Sequence, residues 1–239
     1  MTRLRPALLA LCTAGLVLAQ EPLLADGFEA ALAPTRWEAV RVHDTRSDRI
    51  EATQGRLLLG LDTLGTDDAT VKLRGVRSRE AFALDEAQGL ALEAALDWNA
   101  QPNGCYLTLG LALVPEAASD PRSAAEALAY ELVGVPPGKN VRPALWRRAS
   151  CALRPLWSDG WPQPRREDRV GRPARPLKVR LEVAGKTVRL LEDGQERWSG
   201  PGAEGFAGRV RVLVFVTGHS NYPLREVRVD DLKLERIGA

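Results

Sequence analysis

Histidine is nearly missing from this 239-residue chain, which has only His43 and His219. Neither stands at a spacing that suits a metal site or a hydrolase triad, and no nucleophile-elbow motif accompanies them. Cysteine is scarce too, with Cys12, Cys105 and Cys151 only, so a cysteine-rich zinc site is excluded. No Pro/Ser/Gly-rich linker, internal repeat or low-complexity tract divides the chain. Downstream of residue 19 no apolar run approaches the roughly 20 residues that a membrane helix needs. The glycine-rich "GAEGFAG" leads into a strand pattern rather than a helix, which excludes a phosphate cradle there.

The N-terminus does carry a short apolar run. Arg3 and Arg5 precede "PALLALCTAGLVLA", Pro6 to Ala19, which is too short to span a bilayer. Val17 and Ala19 are small enough for signal-peptidase recognition, so residues 1–19 read as a signal peptide cleaved before Gln20. Leu11 is too bulky for Cys12 to be a lipidation site. Export leaves a chain of about 220 residues, read as one domain over 20–239, secreted, periplasmic or at the cell surface. Loss of two arginines brings the formal charge from +2 to about zero. It also leaves Cys105 and Cys151 as an even pair in an oxidising compartment, where a disulfide is expected. Such a bridge would close a loop of about 46 residues.

Charge is unevenly spread. Asp85 to Pro137 holds eight acids and one base, whereas Arg142 to Lys178 holds ten bases and three acids. The basic segment suits an anionic partner or a solvated arginine-rich loop. Export argues against nucleic acid as that partner.

Period-two alternation dominates the pattern. In "GLALEAALDWN" Leu90, Leu92, Ala94, Leu96 and Trp98 share one face, with Glu93 and Asp97 on the other. "CYLTLGLALV" follows "AQPNG", so the two segments read as a hairpin. "LKVRLEV", "KTVRLL" and "ERWS" are separated by Ala184-Gly185 and Asp193-Gly194, both turn signals. "SDPRSAAEAL" is the one helical candidate: Ser123 with Glu126 forms a capping box for a short helix near 119–129. The fold class is therefore all-β, a sandwich or jelly roll of two antiparallel sheets. In the last strand Val227 and Val229 are followed by Leu232 and Leu234, an extra step that predicts a bulge at Asp230-Asp231.

These residues resemble a known family. "LLADGFEAALAPTRWEAV", "IEATQGRLLLGL" and "VRVDDLKLERI" are similar to the opening, following and closing strands of concanavalin A-like lectin/glucanase domains. The resemblance implies two curved sheets with any glycan in the groove of the concave one. It also implies a structural calcium, which in the family joins an aspartate of the closing strand to carbonyls near the first strand and a glycine. The corresponding positions here are Asp230, the stretch near Asp26, and Gly55. The glucanases of the family carry Glu-x-Asp-x-x-Glu on one strand, and no stretch of this sequence contains it. Glu93 and Asp97 share a strand face but stand about 13 Å apart along it, against the roughly 5 Å that a retaining pair needs; Glu131 would have to approach from a neighbouring strand.

"WRRASCALRPLWSDGW", residues 146–161, concentrates Trp146, Arg147, Arg148, Trp157 and Trp161 in what reads as a long loop. Tryptophan faces stack on pyranose rings and arginines pair with uronate or sulfate groups, so these five are the candidate ligand contacts. Alternatively Trp146 is a core residue of a strand and the others pack the loop down. The expected function is carbohydrate binding without catalysis, the partner being a polysaccharide or glycan, neutral or anionic. A divergent glycoside hydrolase or polysaccharide lyase using Glu93, Asp97 or Glu131 is the first alternative. A structural cell-envelope domain is the second.

Overall fold

The computed structural model describes residues 21–85, 87–98, 107–118, 120–135, 140–159, 171–218 and 221–238. Residues 1–20, which include the expected signal peptide, and Cys105, Trp161 and His219 lie outside them. No helix occurs among the described residues, and hence none long and apolar enough to cross a membrane.

Two antiparallel sheets face each other. The first contains β1 (Leu24–Asp26), β3 (Ser47–Thr53), β4 (Arg56–Asp62), β7 (Gln88–Asp97), β13 (Leu177–Ala184), β14 (Thr187–Glu192), β15 (Gln195–Pro201) and β17 (Arg225–Gly238), in the order β15-β14-β13-β7-β17-β4-β3 with β1 also on β17. The second contains β2 (Trp37–Val42), β5 (Lys72–Ser78), β6 (Phe82–Leu84), β8 (Thr108–Pro115), β9 (Ala127–Val135), β10 (Asn140–Ala149), β11 (Ala152–Ser158), β12 (Arg172–Pro173) and β16 (Gly208–Gly218). Its order is β11-β10-β9-β8-β16-β5-β2, with β12 on β10 and β6 on β16.

Alternation explains the core. Leu177, Val179, Leu181 and Val183 of β13 are buried, as are Leu90, Leu92, Ala94 and Leu96 of β7 and Val210, Val212, Val214 and Val216 of β16. These inward rows form one apolar layer between the sheets, the main source of stability in a sandwich. The bulge is where the spacing placed it. The β17–β7 register shifts between Asp230 and Lys233, Asp231 adopts φ 49°, and its N–H donates to Asp230 Oδ1 at 2.7 Å.

Three expectations are corrected. The segments 89–99 and 105–114 are not a hairpin: β7 pairs with β13 and β17, while β8 belongs to the other sheet and pairs with β9 and β16. Trp98 ties the two sheets together, its indole N–H donating to Leu107 O at 2.8 Å. The helix near 119–129 is absent. Asp120 organises a turn instead, accepting from the Arg122 amide at 2.9 Å and the Ala124 amide at 3.0 Å, and β9 begins at Ala127. Glu126 serves Arg147 and the Ser150 amide rather than a helix cap. The turn after β13 is Gly185-Lys186, one residue later than expected, because Ala184 still pairs with Thr187.

One carboxylate is fully enclosed between the sheets. Glu192, the last inward position of β14, accepts from the Tyr130 hydroxyl at 2.5 Å, from Arg172 at 2.7 and 2.8 Å, and from Arg197 at 3.1 Å. Desolvation pushes its pKa up, but the arginines and Tyr130 outweigh that and hold it below the ordinary carboxylate value. Desolvation and the adjacent Glu192 charge raise Tyr130 well above the ordinary phenol value.

Gly110 and Phe215 form a cross-strand pair on the outer face of the second sheet. A Cβ on Gly110 would fall inside the Phe215 ring. Gly110→Ala is therefore expected to destabilise by about 1–3 kcal/mol through overpacking, measured as a lowered urea midpoint with unchanged m. An unchanged midpoint would show that the ring moves aside freely.

Candidate functional site

The outer face of the second sheet has an unusual composition. Outward residues of successive strands align in rows: Phe215, Gly110, Glu131 and Ala144 in one, Leu213, Ala112, Ala129 and Trp146 in the next. The small residues at the centre make room for the Phe215 ring, which lies over Gly110, and both Phe215 and Trp146 are buried. Val40, Leu73, Val114, Ala127 and Ala129 complete a second apolar cluster there, separate from the core.

The β8–β9 connection folds onto this face. Arg77 donates to Ala118 O, and Arg122 pairs with Glu131 at 3.1 Å. Arg77 also holds Glu38 at 2.9 Å, and Arg211 joins Glu38 to Glu116 at 3.5 and 3.8 Å. The Arg77 hydrogen bond, opposed by partial desolvation and supported by the Arg77, Arg211 and Arg79 charges, keeps Glu38 below the ordinary carboxylate pKa. The face is thus an apolar floor bounded by arginine–carboxylate pairs, with Glu131 itself 5% exposed.

The carboxylates suggested for catalysis do not meet. Glu93 and Asp97 lie on the outer face of the first sheet, where Glu93 pairs with Lys178 at 2.8 Å and Asp97 with Arg228 at 3.7 Å. Glu131 lies on the other sheet, with the whole core between, so it cannot approach them. The stretch "EALAYE" has a further feature that the sequence reading missed: Glu126 and Glu131 keep the spacing of the outer glutamates in Glu-x-Asp-x-x-Glu, with Leu128 at the aspartate position. β9 pairs with both neighbours without a register shift. Glu126 lies in the bend before β9 begins at Ala127 and turns toward Arg147, whereas on the strand itself Leu128 is in the core and Glu131 faces out.

The segment 146–158 is a hairpin rather than a long loop, with β10 and β11 joined at Ser150 and Cys151, both in the left-handed region at φ 47° and 66°. Strand parity divides the candidate contacts. Trp146 and Arg148 are on the outer face, opposite Ala129 and Ala127. Arg147 points inward, 4.4 Å over the Phe206 ring, and donates to Ala127 O at 3.1 Å. Trp157 packs against the core. Trp161 is outside the described residues.

Cys151 closes the β10–β11 turn, its N–H donating to Ala125 O at 3.0 Å; Cys105, its expected disulfide partner, lies outside the described residues.

The positions suggested for calcium do converge, since β1 and the start of β4 both meet β17 at its bulge. Their side chains do not form a cage. Asp26 accepts from Phe28 N at 2.8 Å and Trp37 Nε1 at 2.7 Å, Asp230 caps Asp231, and Gly55 abuts the Glu29 carboxylate. No group of three acidic, histidine or cysteine side chains able to hold a metal occurs among the described residues.

No protein-family model matches the sequence, and no curated protein sequence matches it. Solved structures do. The chain is similar to an endo-β-1,3-glucanase from Pyrococcus furiosus at 10% identity and TM-score 0.61, covering 91% of this chain and 95% of that one. An endo-1,3-β-glucanase from Streptomyces sioyaensis gives 12% identity and TM-score 0.60 over 92% and 97%. A structure of the endo-acting O-glycanases expressed by human gut microbiota gives 15% and 0.60 over 91% and 100%. With two antiparallel sheets, a closing strand beside the first and this breadth of coverage, the chain has the concanavalin A-like β-sandwich fold of the glucanases.

Proposed function

We propose that this protein is an exported carbohydrate-binding domain that holds a glycan on the outer face of the second sheet and does not hydrolyse it. The observation that carries this is the placement of the two motif glutamates: Glu126, just before β9, turns to Arg147, while Glu131 on the outer face is already paired with Arg122. Glycosidase chemistry of either stereochemical course uses two carboxyl groups flanking the scissile bond. Binding needs only a surface with stacking groups and fixed polar partners. The partly exposed Arg122 and Arg148 favour acidic sugars, above a buried apolar layer of Trp146, Phe215 and the small residues between them that holds the strands in place.

A glycan array spanning neutral and acidic polysaccharides, with a reducing-sugar assay on every hit, tests this. The expected outcome is retention of at least one glycan with no release of reducing ends. Release that disappears in Glu131→Gln would instead establish a divergent hydrolase, the reading favoured by the glucanase and O-glycanase activities of the similar structures. No retention at all would leave a structural role.

A further inference from the structure

The outer face of the first sheet is covered by a lattice of ion pairs, with one gap. Arg49 pairs with Glu51 and Glu226, Arg180 with Glu182 and Glu235, Arg189 with Glu182 and Glu196, and Lys233 with Glu235. Arg56 breaks the pattern: it is exposed and has no ion pair or side-chain hydrogen bond among the described residues. The β3–β4 turn, Gln54-Gly55 at φ 53° and 70°, sets it beside the bulge of β17. Two adjoining cavities of 330 and 110 Å³ share Arg56 and Arg228 in their walls.

The cavities have a physical origin. Ala95 is outward on β7, between Glu93 and Asp97, and its methyl group fills little of the space that long neighbours span. Cross-strand pairing sets Arg228 between Leu58 and Asp97, and Asp230 opposite Ala95. The walls therefore combine two guanidinium groups, two carboxylates, Gln54 and the apolar Leu58 and Pro176. Arg228 is held only loosely by Asp97, at 3.7 Å.

From this arrangement we infer a second binding site, for a sugar carboxylate, on the sheet opposite the proposed glycan face. Two guanidinium groups on one cavity match a carboxylate that accepts from both. Asp97, Asp230 and Gln54 are acceptors for ring hydroxyls, and Leu58 with Pro176 receives an apolar ring face.

The test is amide-resolved NMR titration of the full chain with sodium D-glucuronate, in the presence of chelator so that no cation bridges ligand to Asp230. Saturable shifts at Gln54, Leu58, Ala95 and Leu96 are expected, with none from methyl glucoside. Arg56→Ala should weaken binding roughly tenfold or more, and Ala95→Leu, which fills the smaller cavity, should abolish it while amides elsewhere keep their positions. Equal shifts from acetate would reduce the site to an adventitious anion site, and undiminished binding in Arg56→Ala would remove its main contact; either overturns the inference. The outcome is independent of the glycan face on the other sheet, which is read from Ala129 and Ala144.

Discussion

Trp98→Ala is expected to be the most damaging single substitution, costing about 3–5 kcal/mol. Trp98 is wholly buried and sits where the chain leaves β7 in one sheet to enter the other. Truncation removes an indole from the apolar layer and leaves Leu107 O with only the Gly134 amide, at 3.0 Å, as donor. Both losses fall on one crossing, so neither sheet can close the gap by shifting alone. For a domain of this size the melting temperature should drop by roughly 6–20 °C. Trp98→Phe keeps most of the volume and loses the hydrogen bond, so it should cost far less, about 1 kcal/mol beyond the packing change. A calorimetric shift below about 3 °C for Trp98→Ala would show that the crossing is not under this clamp.

Glu192→Ala is expected to cost about 3 kcal/mol, at the low end for breaking a buried ion pair. The carboxylate is fully buried, but Arg172 and Arg197 have side chains 24% and 35% exposed and recover some hydration when it is removed. Tyr130 recovers none, since its hydroxyl lies between the sheets. The same residue gives the fold an acid-sensitive component. Because the folded pKa of Glu192 is lowered, its ionised form stabilises the fold at neutral pH. That contribution is complete above the unfolded value of about 4.3 and disappears as pH falls through the lower folded value. Denaturant titrations of wild type and Glu192→Gln at pH 7 and below pH 4 check this. The gap between the two proteins should be widest at pH 7 and narrow in acid; a constant gap would show that the carboxylate charge is not what holds the network.

How much of this was written in the chain depends on the range of each interaction. Alternation in "LKVRLEV" and "GLALEAALDWN" identifies strands because a buried face and a solvated face repeat every two residues, a local property. The break at Asp230-Asp231 is visible for the same reason: an extra residue shifts the parity of everything after it. The three segments that resemble concanavalin A-like domains sit on β1 with β2, on β3 with β4, and on β17, and β17 pairs with β1 and β4. The fold was therefore legible.

Strand partners were not. Adjacent segments 89–99 and 105–114 look like a hairpin, and only the pairing of β7 with β13 and β17, and of β8 with β9 and β16, shows that they belong to different sheets. The Ser123–Glu126 capping box is locally sound, yet Glu126 does more in tertiary contact, where it satisfies Arg147 and the Ser150 amide. Among the site residues, alternation could have separated Trp146 and Arg148 from Arg147, since neighbours on a strand face opposite ways. It could not say that the segment was strand, nor that Glu93 and Glu131 lay on different sheets. Sequence by itself determined the all-β class, the bulge and the apolar core rows, because each is set by nearest neighbours. Tertiary structure decided which carboxylates meet, which arginines are paired and where cavities open, because those depend on contacts between residues far apart in the chain.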